Sequence, residues 1–235
     1  MYTYNKKILF SDIDSGSRMS VGGILNAMQD CVNINSESIG RGIDYMLKKR
    51  RTWFAISWNI EIVRRPGMFE DVVVKTWPYD FTSAMGFRNV IITDESGEDI
   101  IKADSVWTLV DMDEGKPTRI EEEDAKGYDL EPKYPMEQLP RKIKLPKEFT
   151  AVDTIVVRKA DIDYNGHMSN GKYIEIADEY IPFDTNIRRI RVEYKNQARY
   201  KERLRVDMAI DGNRYVIRMS GVDDGSIKAI VEVLV

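Results

Sequence analysis

Ala160-Asp161-Ile162-Asp163-Tyr164-Asn165-Gly166-His167-Met168-Ser169-Asn170-Gly171 repeats, without a gap, the frame of Ser11-Asp12-Ile13-Asp14-Ser15-Gly16-Ser17-Arg18-Met19-Ser20-Val21-Gly22. Six positions are identical: Asp12/Asp161, Ile13/Ile162, Asp14/Asp163, Met19/Met168, Ser20/Ser169 and Gly22/Gly171. The differences are as informative. Arg18 stands where His167, the single histidine of the chain, stands, and Gly16 stands where Asn165 stands. Only the second copy therefore holds a group that titrates near neutral pH.

The repeat extends outward from both frames. After the first, Ile24, Leu25, Met28, Val32, Ile39, Ile43 and Met46 keep helical spacing over Gly23 to Met46, with a break expected near Gly40 and Gly42. From Thr52 the period falls to two, with Ile56, Trp58, Ile60 and Ile62 on one face, and strands follow at Asp71 to Tyr79, Gly86 to Thr93 and Ile100 to Asp111. The run Glu121-Glu122-Glu123-Asp124, then Pro132, Pro135, Pro140 and Pro146 among polar residues, reads as a linker. Beyond it the order restarts: a strand at Thr154 to Arg158, the second frame, a helix from about Lys172 to Tyr180, and strands near 187–196, 203–210, 214–221 and 227–234. Ile60-Glu61-Ile62-Val63-Arg64-Arg65-Pro66 superposes on Val192-Glu193-Tyr194-Lys195-Asn196-Gln197-Ala198. Two similar domains are expected, 1–130 and 150–235, joined by a Pro-rich linker at 131–149. Each is a long helix wrapped by a curved antiparallel sheet, an α+β arrangement.

Composition narrows the class. The 235 residues suffice for two domains of ordinary size, and 43% apolar content is that of a globular chain. No stretch reaches the length of a membrane span, and the N-terminus lacks a secretory signal, so a cytoplasmic location is expected. The single cysteine, Cys31, excludes an internal disulfide and, beside Ala27, Met28, Val32 and Ile34, reads as a packed helix position. A net charge of −4 argues against nucleic acid as a partner. Charge is nevertheless uneven: residues 188–205 hold eight basic side chains against two acidic ones, and Lys48-Lys49-Arg50-Arg51 forms a second basic run. Both fit either a solvated strand pair or a surface for an acidic partner.

The stretch Asp161 to Tyr173 resembles the signature of the acyl-acyl carrier protein thioesterases, and the tandem repeat resembles their double hotdog fold. The strand with Trp53, Phe54 and Trp58, the Tyr79 to Phe87 segment and Val192-Glu193-Tyr194 are similar to that family too. The resemblance implies hydrolysis of acyl-acyl carrier protein to free fatty acid, with Asp163, Asn165 and His167 catalytic. In plant members a glutamate lies on the strand after the hotdog helix; here Gln197 falls at that place, and an amide orients water without removing its proton. The resemblance also implies that the first domain holds the acyl chain, with Trp53, Phe54, Trp58, Trp77, Phe81, Met85 and Phe87 as candidate lining. The implied partner is an acyl carrier protein bearing a phosphopantetheine-linked acyl chain, received by Arg188, Arg189, Arg191, Lys195 and Arg199. Neither a cofactor nor a metal is expected, and the chain is expected to be a monomer or homodimer.

The residues support this chemistry independently. Thioester hydrolysis needs water deprotonated near neutral pH and a carbonyl oxygen stabilised as it gains charge. A part-buried His167 suits the first task, with Asp163 holding the imidazolium, although Asp163 itself is an alternative base. Asn165 and the first amides of the following helix suit the second. Gly166 permits a tight turn. An Asp-x-Asp-x-Asn run also caps helices, and Asp161 reads as structural because its counterpart Asp12 occurs in the copy without a histidine. A calcium loop does not fit, since Lys172 stands where the twelfth-position glutamate belongs. Three classes remain open: the carrier-protein thioesterase, a hotdog acyl-coenzyme A thioesterase or 3-hydroxyacyl dehydratase, and a non-catalytic acyl-binding module.

Overall fold

The computed structural model describes residues 1–183 and 185–235, which fall into two compact units, Met1–Gln138 and Leu139–Val235. The first unit contains β1 (Tyr2–Lys7), α1 (Val21–Ser38), α2 (Ile43–Lys48), β2 (Arg51–Ile62), β3 (Asp71–Phe81), β4 (Met85–Thr93), β5 (Asp99–Asp111), the two-residue β6 (Lys116–Pro117) and one turn of helix, α3 (Glu122–Ala125). Its strands pair antiparallel in the order β1-β3-β4-β5-β2. The second unit contains β7 (Thr150–Val156), α4 (Asn170–Asp178), β8 (Arg189–Tyr194), β9 (Arg203–Asp211), β10 (Arg214–Gly221) and β11 (Ile227–Leu234), paired antiparallel in the order β8-β11-β10-β9-β7. Read from β1 and β7 respectively, these are the same strand permutation, so the repeat seen in the sequence is a repeat of topology.

Helix α1 buries Val21, Ile24, Leu25, Ala27, Met28, Cys31 and Val32 along one stripe, the period that marks an amphipathic helix packed on a sheet. It starts on Ser20, whose Oγ accepts the Gly23 N–H at 3.0 Å. It stops where Gly40 enters the left-handed region at φ 70° and the Arg41 N–H reaches back to the Ser36 carbonyl at 2.8 Å, a Schellman closure. The expected break therefore falls between α1 and α2. Cys31 is fully buried, and burial, partly opposed by Arg88, pushes its thiol up to about 12.

Strand β2 departs from strict alternation. Trp58, Ile60 and Ile62 are buried on one face as expected, but the pairing with β5 shifts between Ala55 and Ser57, so Ile56 sits in a bulge and Ala55 takes the next place on the buried face. No helix of the described residues is long and apolar enough to cross a membrane.

The Pro-rich stretch is strapped onto the sheets. In the first unit, Trp77 Nε1 donates to the Pro132 carbonyl at 2.9 Å, the Tyr134 N–H donates to Asn89 Oδ1 at 2.9 Å, and Lys133 Nζ pairs with Asp104 at 3.0 Å. Trp77, Asn89 and Asp104 lie in one cross-strand row, on the face opposite the row of Arg88, which meets α1. In the second unit, Ile143 packs with Val216, Ile230 and Phe149, its N–H donates to Glu193 Oε2, and Arg218 lies 4.3 Å over the Phe149 ring.

Candidate active site

The two frames fold into loops with the same backbone bonds. In the second, the Asp163 N–H donates to the His167 carbonyl at 2.8 Å, the Gly166 N–H to the Asp163 carbonyl at 3.0 Å, and the Ser169 N–H to the Asp161 carbonyl at 2.8 Å. In the first, Asp14 bonds Arg18 at 2.9 Å, Ser17 bonds Asp14 at 3.0 Å and Ser20 bonds Asp12 at 2.8 Å by the equivalent atoms. Asp163 Oδ1 accepts the amides of Asn165 (2.8 Å) and His167 (3.5 Å), as Asp14 Oδ1 accepts those of Gly16 (2.9 Å) and Arg18 (3.4 Å). The left-handed turn position is Gly166 at φ 76° in one and Ser17 at φ 57° in the other, so glycine removes the strain a side chain bears there. Asp161, buried, accepts the Arg158 N–H at 2.7 Å and pairs with its guanidinium, which anchors the loop's entry.

The second loop differs in what surrounds its carboxylate. Met19 N–H donates to the Pro66 carbonyl at 2.8 Å, and Met168 N–H donates to the Ala198 carbonyl at 2.9 Å, which sets Pro66 against Ala198 and Arg65 against Gln197. In the first unit Arg65 clamps Asp14 through Nη1 and also donates to the Met19 carbonyl at 3.3 Å, while Arg18 Nη1 donates to the Arg65 carbonyl. In the second unit the position of Arg65 is taken by Gln197, neutral and exposed, and the position of Arg18 by His167. Asp163, Asn165 and His167 thus share one loop, and Gln197 adjoins Ala198, to which that loop is bonded. Ala198 is held twice, since its N–H also donates to the Tyr173 hydroxyl of α4 at 3.2 Å.

His167 is part-buried, with its Nδ1 enclosed. Desolvation holds its pKa below the ordinary 6.5, the Arg199 guanidinium lowers it further, and Asp163 opposes both. The ring is therefore neutral at physiological pH, the state a base requires.

The remaining sequence candidates separate by face. Trp53, Trp58 and Phe81 stand with Arg88 on the side of the sheet that meets α1, whereas Trp77 and Phe87 alternate to the other side, where Trp77 holds the strap and Phe87 packs on Tyr79 at 5.9 Å. Phe54 and Met85 are cross-strand partners of Thr108 and also alternate away from Trp53 and Gly86. Those four side chains do not face the α1 side, because pleating sends neighbouring residues to opposite faces. Among the basic candidates, Arg191 is turned inward, bonded to Glu232 and to the Pro140 carbonyl, and is not presented to a partner. Lys195 pairs with Glu193, Arg188 and Arg199 are exposed, and Arg189 is half-buried.

Sequence reading gave Tyr173 no role beyond its place in the Asp161–Tyr173 stretch, counted Lys201 only among the eight basic side chains of 188–205, and missed Lys159. The basic flank at Lys159 and Lys201 emerges from aligned backbone bonds: Phe69 N–H to Ile8 carbonyl matches Lys201 N–H to Val157 carbonyl, so Leu9, Phe10, Met68 and Phe69 correspond to Arg158, Lys159, Tyr200 and Lys201. The first loop has an apolar exposed flank and the second a basic one.

Solved structures superpose on nearly the whole chain: an acyl-ACP thioesterase from Bacteroides thetaiotaomicron (TM-score 0.88, 24% identity, 99% of this chain and 96% of that one) and the 12:0-ACP thioesterase from Umbellularia californica (TM-score 0.86, 18% identity, 99% and 96%). The family models named acyl-ACP thioesterase N-terminal domain and acyl-ACP thioesterase C-terminal domain match residues 1–128 and 144–230. The chain belongs to the acyl-ACP thioesterase family. It is 24% identical over 220 residues, 84% of its length, to oleoyl-acyl carrier protein thioesterase 2, chloroplastic, of Arabidopsis thaliana, and 23% identical over 224 residues to the corresponding protein of Coriandrum sativum. It spans 60% of the length of each of these curated relatives.

Proposed function

We propose that the chain hydrolyses acyl thioesters carried on acyl carrier protein, each unit being one hotdog of a tandem pair, the first receiving the acyl group and the second cleaving it. The observation that carries this reading is the contrast between the loops: Arg18 and the Arg65 clamp on Asp14 give way to a neutral His167 and to Gln197. With Nδ1 enclosed, the proton transfer is assigned to Nε2. It takes a proton from water as the water oxygen bonds to the thioester carbonyl carbon, and Asp163 stabilises the imidazolium. Asn165 and the first amides of α4 support the oxyanion. The tetrahedral carbon then expels the thiolate, which takes the proton from His167, leaving free acid and carrier thiol. Gln197 orients the water. Carrier docking is supported by Arg199 and by the flank of Lys159 and Lys201, a set that suits an acidic surface and loses strength as salt rises.

The test is thiol release across acyl lengths on carrier protein and on coenzyme A. His167→Ala is expected to lower release by at least about 10²-fold while retaining the fold by circular dichroism. Full activity in that variant would sink the mechanism. Enoyl product without thiol would instead mark a dehydratase, and retained acyl ligand with neither product a binding module.

A further inference from the structure

Arg88 stands on the α1 side of the first unit's sheet and is 6% exposed. Its guanidinium meets neutral groups: Nη1 donates to Asn35 Oδ1 at 2.8 Å and to Thr76 Oγ1 at 3.3 Å, and its carbon lies 5.1 Å from the centre of the Tyr128 ring. Among the described residues no carboxylate pairs with it, and Nε and Nη2 have no protein acceptor. A guanidinium does not deprotonate in a protein, and burying a charge without a counter-ion is costly enough that an apolar side chain of similar volume is commonly the more stable choice. Arg88 is therefore poorly explained by cohesion of the unit.

A second group points the same way. Trp53 Nε1 is buried and has no hydrogen-bond partner among the described residues. The Trp53 ring lies 6.3 Å from Phe81, and Phe81 lies 5.9 Å from Tyr128, so the two donors are joined by a continuous aromatic wall. Gly86 makes room for it: a Cβ there would stand 3.0 Å from the Phe81 ring and 3.5 Å from Trp53. Tyr128 is fixed in turn by its hydroxyl on Ser36 Oγ at 2.6 Å. The region offers hydrogen-bond donors that lack acceptors, one of them a cation, among aromatic rings.

We propose that the interior of the first unit binds a carboxylate borne on an aliphatic chain, with the Nε/Nη2 edge of Arg88 as its two-pronged receptor and Trp53 Nε1 as a further donor. The planar fork matches both carboxylate oxygens, and the rings take the methylenes. The proposal rests on the reading that the first unit receives the acyl group. The carboxylate has two sources, the head of the released fatty acid or the far end of an ω-carboxyacyl substrate.

Calorimetric titration of the full chain with decanoate and with decanol tests it. Wild type is expected to bind decanoate about tenfold or more tightly than decanol, and Arg88→Met to bring decanoate down to the decanol level with an equal or higher urea midpoint. Should Arg88→Met not fold, Arg88→Lys, which keeps the charge and loses the fork, serves the same comparison. Equal affinity of wild type for the two ligands, or equal decanoate affinity in wild type and variant, overturns the proposal. Inhibition of thiol release by added decanoate that weakens in the variant assigns the product head. A preference for ω-carboxydecanoyl over decanoyl carrier protein that falls in the variant assigns the substrate's far end. Absence of thiol release from every acyl thioester would defeat the hydrolase reading while leaving the binding comparison standing.

Discussion

Arg199 and Asp163 pull the titration of His167 in opposite directions, against a desolvation that already favours the neutral ring. Because the folded pKa lies below 6.5, the unprotonated ring persists under mildly acidic conditions, and the proposed mechanism predicts that the acid limb of kcat/KM falls below pH 6.5. Arg199→Gln removes one lowering influence, so that limb is expected to move up toward 6.5; a limb that stays put or moves down would exclude this role for Arg199. Asp161 is a structural carboxylate at the same scale. Burial raises its pKa, but hydrogen bonds from the Arg158 side chain and N–H outweigh it and leave the value below 3.8. Its contribution to stability is thus present above pH 3.8 and lost as pH falls through the lower folded value. Asp161→Ala, which strands the Arg158 N–H, is expected to cost about 1–3 kcal/mol in urea unfolding at neutral pH. Asp163, Asn165 and His167 stood out as candidates because a repeated frame exposes its own exceptions. Arg88 was not, since nothing in the run Met85 to Thr93 tells that the arginine lies on the buried face until β4 is paired with β5.

Elements position these side chains through a few shared bonds. Ala198, after β8, receives the Met168 N–H on its carbonyl and gives its own N–H to the Tyr173 hydroxyl, so α4, the His167 loop and the segment bearing Gln197 are tied at one residue. Tyr173→Phe leaves a buried N–H without its acceptor. The expected outcome is a loss of about 1–3 kcal/mol in chemical unfolding together with reduced kcat, because Gln197 is no longer held. A variant with unaltered stability would show that the Met168 bond alone fixes the segment. Strands and helices were legible from period and from the glycine stops near Gly40. The β2 bulge was not, because Ile56 continues an alternating apolar pattern that only the pairing register with β5 interrupts.

At the scale of the whole molecule, the stretch read as a linker is ordered by its contacts. Prolines and lysines marked it as irregular, yet its anchors, Asn89, Trp77, Glu193 and Arg214, are remote in sequence and belong to strands, so local composition could not disclose them. Trypsin is accordingly expected to cleave slowly after Lys133 in the native protein. Asn89→Ala, which frees the Tyr134 N–H, should accelerate that cut by about tenfold; an unchanged rate would mean that other contacts hold the strap. The paired loops have a consequence for design. Their backbones are bonded alike, so one polypeptide contains a turn held by an arginine and the same turn carrying a histidine. Arg65→Gln in the first loop would imitate the second, and the resulting fall in unfolding free energy, about 1–3 kcal/mol for a charge-assisted contact, would gauge the cohesion that the first turn has and the second does without.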